Sequence, residues 1–207
     1  DQVLRGESTA SAAESAPTEA APAPEKKKPQ EPLELIYVGD INSNKNPELT
    51  IDAVRRLQAA GKAVHLTAVG SIKEEKYRSL MEQTDGVTHH DRCPQDQVIR
   101  HLRKADIFVM PSHTETSGLV YAEAMSQGLP VLYTAGQGFD GHFPDGTVGY
   151  AVSDTDAAAL AEKILLVAQR YEALSPACVA AAKRFNWETI AGEYAQMYSA
   201  MAERSRP

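Results

Sequence analysis

Short, almost wholly apolar segments alternate with longer segments of helical periodicity along most of this chain, and this alternation constrains its fold more than any other feature. A strand that is apolar on both faces must be buried on both faces, which parallel strands covered by helices achieve. The sequence therefore predicts an α/β domain built on a doubly wound parallel sheet. The predicted strands are Leu33–Gly39, Val64–Val69, Val87–His90, Ile107–Pro111, Val131–Thr134 and Tyr150–Val152.

The segments between these strands carry the signals of helices. Asn46 is a favourable helix-capping residue, and Pro47 fits the first helical position because its missing amide hydrogen needs no partner there. After the last strand, a break in the helical pattern is expected near Pro176, since proline removes one helical hydrogen bond. The first predicted helix lies between Asn46 and Gly61, and the second follows the strand Val64–Val69 and ends at Leu80. The others are Gln97–Lys104, Gly118–Gln127, Thr155–Tyr171 and Glu188–Met201.

The first part of the chain differs from the rest in composition. Residues 7–32 are mainly Ala, Pro, Glu, Ser and Lys, with almost no large apolar side chain. Such a segment cannot bury enough apolar surface to offset the entropy lost on ordering. We predict a flexible linker or tail over residues 1–32 and one domain over residues 33–207.

Charge and composition exclude several classes of protein. The formal net charge of -7 argues against a nucleic-acid partner, because phosphate backbones favour basic surfaces. Two cysteines, Cys93 and Cys178, are too few for a disulfide framework and are typical of a reducing compartment. No apolar run approaches the roughly 20 residues of a membrane-spanning helix. These features favour a cytoplasmic protein.

The most informative segment for function is Pro111–Val131, which reads as a strand end, a polar loop and a helix that starts near Gly118. Ligands of such sheets bind at the carboxyl ends of the strands, and the free amides of a helix start bind anions. Glu115 in the loop and Glu123 in the helix are separated by seven residues. Each carboxylate can accept two hydrogen bonds at once, which suits neighbouring sugar hydroxyls.

This segment resembles the donor-binding motif of GT-B glycosyltransferases of family 4, P-S-x-x-E-x-x-G-L-V-x-x-E-A-M-x-x-G-x-P-V. The resemblance extends from about Leu33 to Tyr198 and includes the order of Tyr37–Gly39, Lys45 and Asp145–Gly146. It implies that the chain is the C-terminal, Rossmann-like half of a GT-B fold, which binds a nucleotide-diphosphate sugar.

The resemblance also implies roles for individual residues. The second glutamate of the motif, Glu123, would bind the ribose hydroxyls, and the first, Glu115, would orient the transferred sugar. Lys45 matches the lysine that binds the diphosphate, so Glu115 and Lys45 are the predicted catalytic residues. The full predicted donor-binding set is Gly39, Asp40, Lys45, Arg92, Glu115, Ser117, Gly118, Leu119, Val120 and Glu123.

The activity implied is transfer of a sugar, with retention of anomeric configuration, from a UDP- or GDP-type donor without a metal or cofactor. The implied acceptor is a glycan or a lipid-linked molecule, as in polysaccharide biosynthesis. The acceptor-binding half would be an N-terminal domain of the same protein, so the isolated chain is expected to be inactive. Any membrane contact, at the inner face, would come through that half.

Asp40 departs from the family pattern, in which an arginine commonly follows the strand glycine and binds the diphosphate. An aspartate there repels phosphate. This departure leaves open a noncatalytic nucleotide-sugar-binding module. A further alternative is a related GT-B enzyme such as a sugar-nucleotide epimerase.

Three further patterns point to other chemistry and are not adopted. Gly136–Gly141 matches the dinucleotide pattern G-x-G-x-x-G, but Pro144 follows where that motif requires a helix. Asp154–Asp156 matches a metal-binding D-x-D, yet its position before a helix favours capping. The spacing of the residues around His89–Cys93 and of His113 fits no standard zinc site, so no metal site is predicted.

Overall fold

A computed structural model describes residues 29–204 of the chain, so residues 1–28 of the predicted linker lie outside the described residues. Within this range six strands form one parallel sheet in the order β3-β2-β1-β4-β5-β6. The order reverses between β1 and β4, which is where ligands bind on such sheets. The strands are β1 (Leu33–Val38), β2 (Val64–Val69), β3 (Val87–His90), β4 (Ile107–Val109), β5 (Val131–Thr134) and β6 (Gly149–Val152).

Helices cover both faces of this sheet. α1 packs against α5, and α4 packs against α6. The predicted doubly wound parallel sheet is therefore confirmed. None of the described helices contains a stretch both long and apolar enough to cross a bilayer. The helices are α1 (Pro47–Ala59), α2 (Lys76–Glu82), α3 (Gln95–Lys104), α4 (Leu119–Ser126), α5 (Ala157–Gln169), α6 (Tyr171–Ala182) and α7 (Trp187–Arg204).

Burial of the strands follows from their place in the sheet. The central strands β4 and β5 are buried at every position, whereas the edge strand β3 alternates between partly buried and exposed residues. Ile36, Phe108 and Tyr121 are among the largest fully buried side chains. Burying an aliphatic or Phe side chain of this size stabilises a fold by roughly 1.5–3 kcal/mol. The sheet is thus a firm frame for the loops at its carboxyl edge.

The predicted helix break near Pro176 is wrong. α6 continues through Pro176, and the chain instead breaks at Arg170, between α5 and α6. Pro176 is exposed, while Leu174 and Cys178 on either side are buried in the core. This packing outweighs the single hydrogen bond that proline removes. The other predicted elements are present, with ends shifted by at most three residues.

Candidate functional site

Glycine turns at the carboxyl ends of β1 and β2 border a cavity. A methyl group added to Gly70 would lie 1.9 Å from the carbonyl oxygen of Gly39. Only glycine at position 70 therefore allows the ends of β1 and β2 to approach so closely. The adjacent cavity has a volume of about 610 Å³, and Gly39, Asp40, Gly70 and Arg92 are part of its lining. Three predicted donor-binding residues, Gly39, Asp40 and Arg92, therefore share one cavity.

The loop after β1 is shaped by asparagines. The Asn42 side chain accepts a hydrogen bond from the Lys45 amide at 3.0 Å, which closes a 3₁₀ turn over Ser43–Lys45. Asn46 then takes a left-handed conformation with φ of 53°, which is uncommon outside glycine, and α1 begins at the next residue. Asn46 precedes the helix as predicted, but its side chain makes no capping hydrogen bond. These turns hold Lys45 at the carboxyl edge of the sheet.

The two predicted catalytic residues contact each other. Lys45 Nζ lies 2.5 Å from Glu115 Oε2, and the side chains are 22% and 10% exposed. Glu115 Oε1 accepts hydrogen bonds from the amides of Thr116 at 3.0 Å and Gly118 at 3.3 Å. Burial opposes ionisation of Glu115, but the hydrogen bond and charge of Lys45, together with the two amides, hold its pKa below the ordinary value. The carboxylate is thus ionised and oriented by three donors.

The start of α4 presents backbone amides beside this pair. Gly118 precedes the helix with φ of 61°, and a methyl group on it would lie 2.7 Å from the Tyr121 ring. Across residues 29–204, the amides of Leu119 and Val120 find no hydrogen-bond acceptor, and Ser117 is exposed. Free amides and the positive end of the helix dipole together make this helix start suited to an anion.

Glu123 lies on the exposed face of α4. It is one turn beyond Leu119, which is 58% exposed, so the two side chains share a face. In the described part of the chain, no hydrogen bond or ion pair joins the Glu123 carboxylate to another residue, Lys45 and Glu115 included. Its side chain is therefore available to a ligand, while the opposite face of α4 is buried.

A lysine that the sequence did not single out lies beside Asp40. The loops after β1 and β2 run alongside each other through a bridge between Ile41 and Ile72. This brings Lys73 Nζ to 3.6 Å from Asp40 Oδ2, with both side chains about half exposed. The negative charge that Asp40 adds at the cavity is thus partly offset by Lys73.

The sequence also gave no signal for the contacts that hold the loop of Glu115 in place. Gln137 Oε1 accepts a hydrogen bond from the Glu115 amide at 3.1 Å, and the Gly138 amide donates to the Glu115 carbonyl at 2.8 Å. The buried Asn46 side chain donates to the carbonyls of Pro111 at 3.2 Å and Asp154 at 2.8 Å. These partners are distant in sequence, so no local pattern could have identified them.

The patterns set aside have structural roles. Gly136–Gly141 is a loop in which the Asp140 carboxylate accepts from the Gly136 amide at 2.7 Å, and the next described element is a strand. It therefore lacks the helix that a dinucleotide motif requires. Asp156 caps α5 by accepting from the amides of Ala158 and Ala159 at 3.0 and 2.9 Å, which confirms the predicted capping.

The parallel sheet, its glycine turns and the helices on both faces define a Rossmann-like α/β type of domain. The sequence profile of the glycosyl transferases group 1 family matches residues 20–184, and the chain belongs to this family. The chain is 32% identical over 182 residues to the D-inositol 3-phosphate glycosyltransferase of Geodermatophilus obscurus, with 82% of the chain and 40% of that protein covered.

Solved structures share this fold. Sucrose-phosphate synthase of Thermosynechococcus elongatus superposes with a TM-score of 0.72 at 26% identity, over 84% of this chain and 46% of that one. Anabaena Alr3699/HepE, solved in complex with UDP-glucose, superposes with a TM-score of 0.69 at 21% identity, over 81% of this chain and 49% of that one. The predicted GT-B type of fold is confirmed. The chain spans less than half the length of each of these three proteins.

Proposed function

We propose that this chain is the donor-binding half of a retaining glycosyltransferase, which transfers a hexose from a nucleoside diphosphate sugar to a glycan or lipid-linked acceptor. The observation that carries this proposal is the Lys45–Glu115 pair at the start of α4. A cation, a helix dipole with free amides and a hydrogen-bonding carboxylate meet at one edge of the sheet. A sugar diphosphate needs these three groups. The UDP-glucose complex of the Anabaena protein supports the donor class.

The charge that develops during transfer is the first requirement of this chemistry. The diphosphate gains negative charge as its bond to the sugar breaks, and preorganised dipoles stabilise such charge most effectively. The Lys45 ammonium has three N–H donors and spends one on Glu115, so two are left for phosphate oxygens. With the amides of Leu119 and Val120, this lysine supplies the stabilisation without a metal or other cofactor.

Recognition of the donor is divided among the remaining groups. The Glu115 carboxylate retains one free lone-pair site, on Oε2, because Oε1 accepts from two amides and Oε2 accepts only from Lys45. This site is proposed to accept a hydrogen bond from a sugar hydroxyl, and the Glu123 carboxylate is proposed to accept from the ribose hydroxyls. The cavity that Arg92 lines is proposed to hold the base.

The remaining parts of the enzyme are proposed to lie outside this chain. An N-terminal half of the same protein would bind the acceptor and close over the donor, so this chain alone would transfer no sugar. We place the protein in the cytoplasm, with membrane contact only through that half. Nucleic acid is not proposed as a partner, since the chain carries a net charge of -7.

A second candidate is a noncatalytic nucleotide-sugar-binding module. The observation that favours it is the Asp40 carboxylate at the cavity, which weakens the positive potential that a diphosphate requires. The Asp40–Lys73 contact reduces this effect, so we prefer the transferase. Full-length protein that binds a nucleotide sugar and transfers it to no acceptor would favour the module.

Calorimetry tests the donor class directly. The chain is titrated with UDP-glucose, UDP-N-acetylglucosamine and GDP-mannose, with the bare nucleoside diphosphates and with NAD, in the presence of EDTA. We expect saturable binding of one nucleotide sugar, weaker binding of its bare nucleoside diphosphate, and none of NAD. Binding of none of these donors would contradict the proposal, and binding that EDTA abolishes would contradict the metal-free mechanism.

Replacing Asp40 with arginine is expected to tighten the binding of the bare nucleoside diphosphate. The substitution turns a repulsive charge into an attractive one at an exposed position, where one charge contact contributes ~1 kcal/mol, or about fivefold in affinity. Calorimetry with UDP and GDP measures the change. Asp52→Arg on α1 makes the same charge change at an exposed residue outside the proposed site. Equal affinities for the two variants would show that Asp40 does not face the diphosphate.

A further inference from the structure

We infer that Asn44 is a positioning residue, which fixes Glu115 for the transferred sugar by binding the peptide of the neighbouring Thr114. This inference rests on the proposed function. Asn44 Nδ2 donates to the Thr114 carbonyl at 3.0 Å, and the Thr114 amide donates to Asn44 Oδ1 at 3.0 Å. The His113 amide donates to the Asn44 carbonyl at 2.8 Å. Three hydrogen bonds thus join Asn44 to His113 and Thr114, the two residues directly before Glu115.

The chemistry of the side chain explains why asparagine is required. A primary amide presents an NH₂ donor beside a carbonyl acceptor, so it pairs with both the N–H and the C=O of one residue as a strand neighbour would. Aspartate would turn the donor into a second acceptor that faces the Thr114 carbonyl, and alanine would supply neither group. Asn44 and Thr114 are both exposed. Hydrogen bonds at exposed positions compete with water and contribute little to stability, so the effect of Asn44 is expected on geometry.

Asn44 and Asn46 flank Lys45 and bind the same segment of chain. Asn46 is 5% exposed and donates to the Pro111 carbonyl, whereas Asn44 binds Thr114. Loss of the Asn44 side chain would leave the contact of Asn46 with Pro111 in place, but it would remove the hydrogen bonds to Thr114, next to Glu115. The diphosphate, which Lys45 binds, should therefore be affected less than the sugar, which Glu115 binds.

The test compares two ligands in the 207-residue chain: the nucleotide sugar of the calorimetric panel that binds most tightly, and its bare nucleoside diphosphate. Asn44→Ala is expected to weaken the nucleotide sugar about tenfold and the bare diphosphate less than about twofold, because a misplaced group loses most of its benefit. Asn44→Asp should behave like Asn44→Ala. The control is Asn186→Ala, which removes another exposed asparagine whose side chain accepts from a backbone amide, at the start of α7.

A double variant decides whether Asn44 acts through Glu115. In the Glu115→Gln background, Asn44→Ala should cause little further loss of sugar affinity. Equal weakening of both ligands, or a loss that simply adds to that of Glu115→Gln, would overturn the inference. So would a change no larger than that of Asn186→Ala.

A second readout does not depend on any ligand, and it separates this inference from the proposed function. NMR titration of the Glu115 carboxyl carbon should show its pKa rising toward the ordinary value in Asn44→Ala, because contact with Lys45 loosens. If the wild type binds no nucleotide sugar, the proposed function fails, and the role of Asn44 in sugar binding fails with it. The titration would still show whether Asn44 positions Glu115, and an unchanged pKa would refute this.

Discussion

Replacing Glu123 with alanine is expected to weaken nucleotide-sugar binding by at least about 100-fold, the largest loss expected of any single side chain at the proposed site. A carboxylate that accepts two hydroxyl hydrogen bonds contributes roughly 1.5–3 kcal/mol through each, and about 2.7 kcal/mol corresponds to 100-fold in affinity. The bare nucleoside diphosphate should lose as much, because Glu123 is proposed to bind the ribose. Calorimetry with both ligands measures the two losses.

The free energy of unfolding should not fall in Glu123→Ala. Glu123 is exposed and its carboxylate has no hydrogen-bond or ion-pair partner among the residues that the structure describes, and alanine is a better helix former than glutamate. Glu162→Ala on α5 is the matched control, since it truncates another exposed helical glutamate away from the carboxyl edge. A Glu123→Ala chain that binds donor as tightly as Glu162→Ala does would refute the role of Glu123.

Replacing Gly70 with alanine is expected to have the largest effect on stability. The added methyl group would lie 1.9 Å from the Gly39 carbonyl oxygen, and the φ of 152° at Gly70 disfavours any side chain. Because a backbone atom cannot turn aside, β1 and β2 must separate at their ends. Overpacking of this kind costs about 3 kcal/mol or more. For a domain of this size that lowers Tm by about 6–12 °C.

Donor binding should weaken in the same variant, because Gly39 and Gly70 both line the cavity proposed for the nucleoside. Thermal unfolding and calorimetry measure the two effects. Gly61→Ala is the control. Gly61 has a positive φ of 75°, but no atom lies within 4 Å of the added methyl group, so this substitution should lower the free energy of unfolding by only about 1 kcal/mol. Equal stability of the two variants would show that the approach of β1 to β2 is looser than the structure indicates.

The sequence contained most of the information about the fold. Most of the strands are short and largely apolar runs, and Val64–Val69, Val87–His90 and Val131–Thr134 were predicted to the residue. Pro176 is the exception. The local cost of proline in a helix predicted a break, but Leu174 and Cys178 are anchored by the rest of the protein, and that packing keeps α6 continuous.

The sequence determined which charged groups belong to the proposed site and that they lie at strand ends, because these residues directly follow the predicted strands in the chain. Only the tertiary structure decided which of them meet. Lys45 and Glu115 are 70 positions apart, as are Asn44 and Thr114, and Lys73 reaches Asp40 only because two loops run side by side. Contacts between distant residues depend on how the whole sheet and its helices pack, and no local pattern of residue types encodes them.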